Sequence, residues 1–488
     1  MKVLMIALVL VALCTPAVAR VTTSPPLQLR ALPFARRHVG RVAQQHHSMA
    51  AAPSSAPAGS ATVMQSTMNL AKNIVGSGVL ALASGIAAFS ASPNAIMPAM
   101  ALLLFFGGVS LYTFMLIARV GNEMGTATYK DTWAKLFGSR LSIIPALTIA
   151  FKTYFGGLSY TIILGDSFAS IAGLLGAPTL LRASNFWICT LSAFVLLPLT
   201  LLRDMSSLAI GSVIGTAGTL YTALFIWLRL LDGSYAAGGA FHSAIAATAQ
   251  PCFVAASAAR PLLNPSAFVL VAMLSTAFLA HYNAPKFFNE LALPTDGSLT
   301  KQQAFTRVCA QAFGLAALLM GSIMAGGYLT FGGASQGLIL NNYATSDPLA
   351  FVARLGISTS ILFSYPLVFV GLREGVLGML GLRDKSALRS VHVTSSILLV
   401  LVMNGLALKV KNLGLVVALG GALLGSMLVY VFPALMFIFA TRKEEAALAA
   451  KGKTLAPARR YEMFANIGLV ALGLFLSAVG CTMTLRPR

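Results

Sequence analysis

The sequence predicts an all-α membrane protein with eleven transmembrane helices. Of its 488 residues, 57% are hydrophobic and only 10% are charged, whereas soluble domains have roughly 45–50% apolar and about 25% charged residues. Apolar runs of about 20 residues, the length of helix that crosses a bilayer, recur between charged or Gly- and Pro-containing connections. These observations exclude a soluble globular domain. The formal net charge of +21 therefore indicates membrane topology rather than nucleic-acid binding.

The N-terminal region has the composition of sorting sequences. Lys2, the apolar run at 3–13 and the small residues at 17–19 predict a secretory signal peptide over 1–19. Residues 20–60 are basic, rich in Ala, Ser and Pro, and free of acids, which is typical of a transit peptide. A signal peptide followed by a transit peptide predicts the plastid envelope of an alga with secondary plastids; otherwise we expect an endomembrane or the plasma membrane. A plain secretory signal with a disordered tail, and a later start codon, remain alternatives.

The membrane domain is predicted to occupy 61–488. Its eleven spans are expected at 65–90, 95–118, 142–170, 184–202, 208–230, 266–288, 306–331, 349–372, 390–408, 413–440 and 463–484. One set of alternate connections, together with the N-terminal tail, contains most of the Lys and Arg residues. The positive-inside rule therefore places the N-terminus in the cytosol or stroma and the C-terminus on the opposite side.

A short amphipathic helix is predicted between the second and third spans. Tyr129, Trp133 and Phe137 recur every four residues among Lys and Asp, so they share one face of a helix. Such a helix would lie at the membrane interface. A solvated loop is the alternative.

The first span contains residues that are unusual for a lipid-facing helix. Its polar face consists of Asn69, Lys72, Asn73 and Gly76, at positions i, i+3, i+4 and i+7. Polar groups and helix breaks are costly at bilayer depth unless they line a cavity or are buried in protein. We therefore expect the helix to unwind at Gly76, Ser77 and Gly78, which would expose backbone groups to a ligand. A close contact between small-residue helix faces is the alternative.

The sixth span has a second unusual stretch. Ser275 and Thr276 permit local unwinding, and Pro285 ends or kinks the helix. We expect Ser275, Thr276 and Phe278 to contact a ligand, and His281 to be a gate or proton-carrying group. A lone histidine is more often a hydrogen-bonded core residue or a gate than a proton carrier. The first and sixth spans occupy matching positions in two halves of five spans, which indicates a binding site between inverted repeats.

Other polar residues lie in the third and eighth spans. Lys152 and Asp166 belong to the third, where Asp166 is expected at an entrance or interface. Ser360 and Ser364 share a face of the eighth and would complete an oxygen cage around a cation, or bond to carbonyls of their own helix. The sequence contains no recognisable catalytic set or metal-ligand cluster, so it predicts neither an enzyme, a metal site nor a cofactor.

These motifs, in this order, resemble the amino acid/auxin permease family of the APC superfamily, which includes the sodium-coupled neutral amino acid transporters. The resemblance covers about 65 to 485 and rests on NLAKNIVGSGVLAL, TYKDTWAKLFG, GGLSYTIILGD, FLAHYNAPKFFNEL, GYLTF, ARLGIS, GLRE and LGLVVALGGALLGSMLVYVFPALMFI. It implies a LeuT-type fold, with a 5+5 inverted repeat plus one extra helix. It also implies secondary active transport of neutral amino acids by alternating access, with the first and sixth spans broken around the substrate.

One residue departs from the family pattern. Sodium-coupled members have an asparagine four residues before the first glycine of the break, and Lys72 stands there in this chain. An ammonium group at this position would occupy the sodium site together with Asn69, Ser360 and Ser364. We therefore expect sodium-independent transport, either coupled to a proton through Lys72 or by exchange. The expected partners are an amino acid, a coupling proton and the lipid bilayer; an amino-acid sensor without net flux is the alternative.

Overall fold

The computed structural model describes residues 60–202, 209–255, 264–292, 299–382 and 388–486. Regular structure within these ranges is helical, and two β-bridges, Ala61 with Leu291 and Cys252 with Gly332, stand alone. The all-α prediction is therefore confirmed. The predicted signal peptide at 1–19, and the basic tail at 20–60 except its last residue, lie outside the described residues.

The helices follow one another through the whole described chain. The α-helices are α1 (Val63–Ile74), α2 (Leu82–Ala87), α3 (Ile96–Met124), α4 (Tyr129–Phe137), α5 (Ile143–Leu174), α6 (Ser184–Leu191), α7 (Leu197–Thr200), α8 (Ala209–Leu231), α9 (Ala267–Ala277), α10 (Ala284–Glu290), α11 (Lys301–Phe331), α12 (Pro348–Met379), α13 (Arg389–Ala407), α14 (Leu413–Gly420), α15 (Phe432–Ala449) and α16 (Pro457–Leu485). The 3₁₀ turns are Ser77–Ala81, Pro93–Ala95, Ser139–Ser142, Thr179–Arg182, His242–Ala244, Ala247–Ala249, His281–Asn283 and Ile339–Asn342. The π-helical turns are Ser192–Leu196, Gly421–Gly425 and Met427–Val431.

Each of the eleven predicted spans coincides with helical structure. Eight helices of the described chain are long and apolar enough to cross a membrane, and nine if the bent pair at the first span is counted as one. The fourth predicted span is a shorter apolar helix, Ser184–Thr200, and the fifth corresponds to α8. The count of eleven spans and the 5+5 repeat therefore stay predictions.

The first span is broken, as its sequence predicts. Thr62 and Gln65 form a reciprocal capping box that starts α1. The helix ends at Ile74 because Val75 and Gly76 adopt extended conformations, with ψ of 91° at Val75 and of −165° at Gly76. A 3₁₀ turn follows and leads into α2, and the two halves of the span are bent by 46°.

The sixth span is also broken, but later than predicted. Ser275 and Thr276, whose residue types permit local unwinding, both lie inside α9, and the helix does not unwind at them. The Ser275 hydroxyl donates to the carbonyl of Val271, four residues back, at 3.0 Å, a bond that a helix accommodates. Regular α-helix stops at Ala277, and α10 begins after the turn that ends at Asn283.

The tenth span is the most buried of the candidate spans, because 94% of an apolar 18-residue segment within it is buried inside the protein. Two consecutive π-helical turns interrupt it between α14 and α15. Gly421 lies so close to α9 that a Cβ atom there would be 1.6 Å from the carbonyl oxygen of Ala272. A side chain larger than hydrogen has no room at this crossing, so Gly421 sets the distance between the sixth and tenth spans.

The amphipathic segment after the second span is helical, as predicted, and forms α4. Its apolar face is buried against the bundle: the Trp133 ring lies 4.9 Å from that of Phe432, and the Phe137 ring 4.5 Å from that of Phe439, measured between centroids. The Trp133 indole donates to the carbonyl of Leu141 at 3.0 Å. The face that suggested a membrane interface therefore packs on α15.

Candidate functional site

A cavity of about 1010 Å³ lies between the first, third, fifth, sixth, seventh, eighth and tenth spans. It brings together most of the residues that the sequence singles out. Those on its wall are Asn69, Lys72, Asn73, Gly76, Gly78, Lys152, Thr276, Ser360 and Ser364. Residues that are separated by up to 295 positions in the chain thus share one site because the two broken spans and the eighth span converge there.

The two helix breaks meet at this cavity. A Cβ atom on Gly78 would lie 3.7 Å from the Thr276 methyl group, so the two broken spans are in close contact. The Asn283 side-chain amide donates to the Asn73 side-chain oxygen at 3.1 Å. The extended residues Val75 and Gly76 leave the helical hydrogen-bonding pattern, and Gly76 is exposed to the cavity. Backbone groups are thereby available to a carboxylate or an ammonium group.

Thr276 connects the sixth span to the tenth. Its hydroxyl donates to the carbonyl of Val417 at 2.8 Å, and both residues line the cavity. The side chain therefore has a fixed orientation, and its oxygen retains the capacity to accept a hydrogen bond.

Ser360 and Ser364 reach the cavity from α12, where both are half-buried. Close packing of α8 against α12 holds this face in place: a Cβ on Gly215 would be 2.3 Å from the Ser360 oxygen, and one on Gly218 would be 2.7 Å from the carbonyl carbon of Gly356. These glycines bring the two helices together beside the cavity.

Two residues predicted to contact the ligand lie behind the wall of the cavity. Ser275 is fully buried, and its hydroxyl is 3.1 Å from that of Tyr430. Phe278 is also fully buried and stacks on Phe313 with 6.1 Å between ring centroids. The Ser77 backbone belongs to the turn after the break, and its side chain is outside the described set.

The two predicted gate or proton groups lie away from the cavity wall. His281 is fully buried, with Nε2 at 3.0 Å from both the Thr113 hydroxyl and the Ser110 carbonyl. Asp166 accepts a hydrogen bond from the side-chain amide of Asn341 at 2.9 Å. Their proposed roles stay predictions.

The charged residues that line the cavity in the described part of the chain are lysines. Lys72 and Lys152 line it, and no Asp or Glu is among its lining residues within the described part of the chain. Those ranges also contain no group of three or more His, Cys, Asp or Glu residues that could hold a metal ion. The site offers ammonium groups, hydroxyls, amides and free backbone groups, which suit reversible binding of a small polar molecule.

Several residues that complete the cavity wall are not indicated by the sequence alone. Tyr282 lies in the turn of the sixth-span break and faces Lys152, whereas Phe155 and Val417 come from apolar stretches. Only Gly420 and Gly421 signal that the tenth span contributes, since consecutive glycines in a span favour close helix contacts.

Comparisons with known proteins agree with this architecture. A family profile described as "Transmembrane amino acid transporter protein" matches residues 59–485. Vacuolar amino acid transporter 5 of Schizosaccharomyces pombe is 25% identical over 402 residues, 81% of this chain and 88% of that protein. Sodium-coupled neutral amino acid symporter 2 of Danio rerio is 23% identical over 420 residues, 81% of this chain and 79% of that protein.

A solved structure has the same fold. The crystal structure of MhsT in complex with L-phenylalanine superimposes with a TM-score of 0.52 at 12% identity, covering 86% of this chain and 98% of that chain. This likeness supports a LeuT-like transporter fold. The family match confirms the resemblance inferred from the motifs and the prediction that the chain is not an enzyme. The protein belongs to the transmembrane amino acid transporter family.

Proposed function

We propose that this protein is a secondary active transporter that moves amino acids across a membrane by alternating access, with the 1010 Å³ cavity as its substrate site. The observation that carries the proposal is the meeting of the two broken spans at that cavity. Discontinuous helices expose backbone groups near the middle of a bundle, and rocking of one helix group against another then opens the site to either side.

The substrate is held chiefly at the first-span break. Its α-carboxylate accepts hydrogen bonds from backbone N–H groups at Gly76, Gly78 and the intervening Ser77. Asn73 and Thr276, which line the cavity with Gly76 and Gly78, contact the polar groups of the substrate backbone. Ser275 and Phe278 support this wall from behind rather than touching the substrate. The family resemblance alone supports the neutral class of side chain.

Transport is independent of sodium. Lys72 lines the cavity on the face shared with Asn69, and Ser360 and Ser364 line it from α12. An ammonium group among these oxygen donors occupies the volume that a sodium ion would need, and among the described residues the cavity wall offers no carboxylate to offset a further cation. The lysine either carries the coupling proton or acts as a fixed charge during exchange.

We expect purified protein in liposomes to accumulate a labelled amino acid when a pH gradient or a counter-substrate is present, and to do so equally in sodium and in choline buffer. A panel of amino acids identifies the substrate. Specific binding without flux in either direction would contradict transport and favour the sensor. Uptake that requires sodium would contradict the coupling proposal while preserving the transport proposal.

Replacing Lys72 by asparagine tests its role directly. We expect Lys72→Asn to lose pH dependence of uptake and to gain stimulation by sodium, because the substitution restores an oxygen ligand and removes the competing charge. Lys130→Gln, on the exposed face of α4, is the control and should leave both properties unchanged. Unchanged pH dependence without any sodium effect in Lys72→Asn would contradict this assignment.

The N-terminal composition supports delivery to the plastid envelope of an alga with secondary plastids. We expect the full-length chain with a C-terminal fluorescent tag to reach that envelope in such an alga, and a chain that begins after residue 60 to fail to reach it. Identical distributions of the two forms would contradict a sorting role for the first 60 residues.

A further inference from the structure

We propose that Lys152 and Tyr282 form an anion subsite in the transport cavity, and that this subsite binds the side-chain carboxylate of an acidic amino acid. The inference rests on the proposed function and departs from the neutral class that the family resemblance implies. It follows from the position of Lys152, from its surroundings and from the charge of the cavity.

Lys152 faces the cavity from α5. It shares a helical face with Phe155, Gly156 and Ser159, which follow it by three, four and seven positions, and all four residues line the cavity. Phe155 lies close to the tenth span, where a Cβ atom on Gly420 would be 3.4 Å from the Phe155 ring. The aromatic ring and the tenth span thereby fix the face of α5 that carries the lysine.

The Lys152 ammonium lies above the Tyr282 ring, 5.4 Å from its centroid. Tyr282 belongs to the 3₁₀ turn at the sixth-span break, and the next residue, Asn283, bonds to Asn73 of the first span. The cation–π contact therefore places a positive charge next to the meeting point of the two breaks. Cation–π attraction is weaker than a charge-assisted hydrogen bond, so a carboxylate is a stronger partner for this ammonium than the ring.

No carboxylate of the described chain lies within 4.0 Å of the Lys152 ammonium. Lys72 adds a second positive charge to the same wall, and no acidic residue of the described chain lines it. A zwitterionic amino acid with its α-carboxylate at the first-span break would leave the Lys152 ammonium without a carboxylate partner. An acidic amino acid brings a net negative charge into this low-dielectric site, where Coulombic interactions are stronger than in water.

The two substrate carboxylates then have separate partners. The α-carboxylate binds at the backbone of the first-span break, and the side-chain carboxylate accepts hydrogen bonds from the Lys152 ammonium. The Tyr282 hydroxyl is a second donor for the same group. Charge-assisted hydrogen bonds of this kind distinguish a carboxylate from the uncharged amide of the same shape.

Glutamate and glutamine, and aspartate and asparagine, are matched pairs for the test because each pair differs only in this group. We expect each acid to inhibit uptake of the labelled amino acid by liposomes at a concentration at least about tenfold lower than its amide does. The same ratio of concentrations is expected for raising the melting temperature of the solubilised protein. In Lys152→Gln the ratio of the effective concentration of the amide to that of the acid should fall to near one, whereas Lys152→Arg should retain the wild-type ratio. Lys130→Gln should match the wild type.

The ratio of the effective concentrations of amide and acid, measured on one protein, does not depend on its expression level. The wild-type comparison requires no variant. Equal or stronger inhibition and stabilisation by the amides would overturn the subsite. An unchanged ratio in Lys152→Gln would do the same. Preferential stabilisation by the acids without any flux would support the subsite and contradict transport, so the two proposals fail separately.

Discussion

Gly421→Ala is expected to abolish transport and to reduce the free energy of unfolding by about 3 kcal/mol, the upper end of the usual range for overpacking. A Cβ atom at this position would lie 1.6 Å from the carbonyl oxygen of Ala272 and 2.7 Å from the Thr276 hydroxyl oxygen. Both atoms belong to α9, so the sixth and tenth spans would have to separate. That movement would also break the hydrogen bond from Thr276 to Val417 at the cavity wall.

Gly468→Ala is the matched control. Gly468 lies inside α16, and a Cβ atom there would have no neighbour within 4 Å. We expect transport to be unchanged and stability to be equal or higher by up to about 1 kcal/mol, since alanine is the better helix former. The melting temperature in detergent and the monodispersity of the purified sample are measured for both variants. A wild-type melting temperature and wild-type uptake in Gly421→Ala would contradict the close approach of these two spans.

Asp347→Asn is expected to destabilise the protein by about 3–5 kcal/mol, the cost of leaving one charge of a buried ion pair without its partner. The Asp347 side chain is fully buried and caps the start of α12. Its carboxylate accepts two hydrogen bonds from the Arg229 guanidinium, at 2.7 and 2.9 Å, and one from the Tyr235 hydroxyl at 2.9 Å. The asparagine leaves the guanidinium charge without this buried carboxylate.

Asp232→Asn tests the same guanidinium from its exposed side. Asp232 accepts from Arg229 at 2.8 Å, but its side chain is 40% exposed, so water compensates for the lost charge. We expect a loss of less than about 1 kcal/mol. The melting temperatures of Asp347→Asn and Asp232→Asn are measured in parallel at the same pH and salt concentration and compared with that of the wild type. Equal shifts would contradict the assignment of Asp347 as the principal partner of Arg229.

The sequence contains much of the information about the candidate site because polar residues at bilayer depth are rare. Lys72, Asn73 and Gly76 are conspicuous in the first span for that reason, and the helix does break beside them. The sixth-span break is less accurately predicted. Ser275 and Thr276 are weak helix formers, yet both lie in α9, where Ser275 bonds to the carbonyl of Val271 and Thr276 to that of Val417 in the tenth span.

The sequence does not specify which distant segments come into contact. The sequence marks Lys152 as unusual in its span, but only the arrangement of α5 against the sixth-span turn brings it above Tyr282. The π-helical turns of the tenth span have the same origin. Their residues are ordinary apolar ones with glycines, and the close crossing with α9 is a property of the assembled bundle.

The sequence by itself determined that this protein is an all-helical membrane protein, that its first and sixth spans are unusual, and that it resembles amino acid transporters. Those conclusions depend on the local cost of placing polar groups and helix breaks in an apolar environment. The tertiary structure alone decided where the breaks meet, which side chains share the cavity, and that the charged residues of the described chain on its wall are lysines. These properties depend on helix crossings between residues far apart in the chain, and local composition does not specify them.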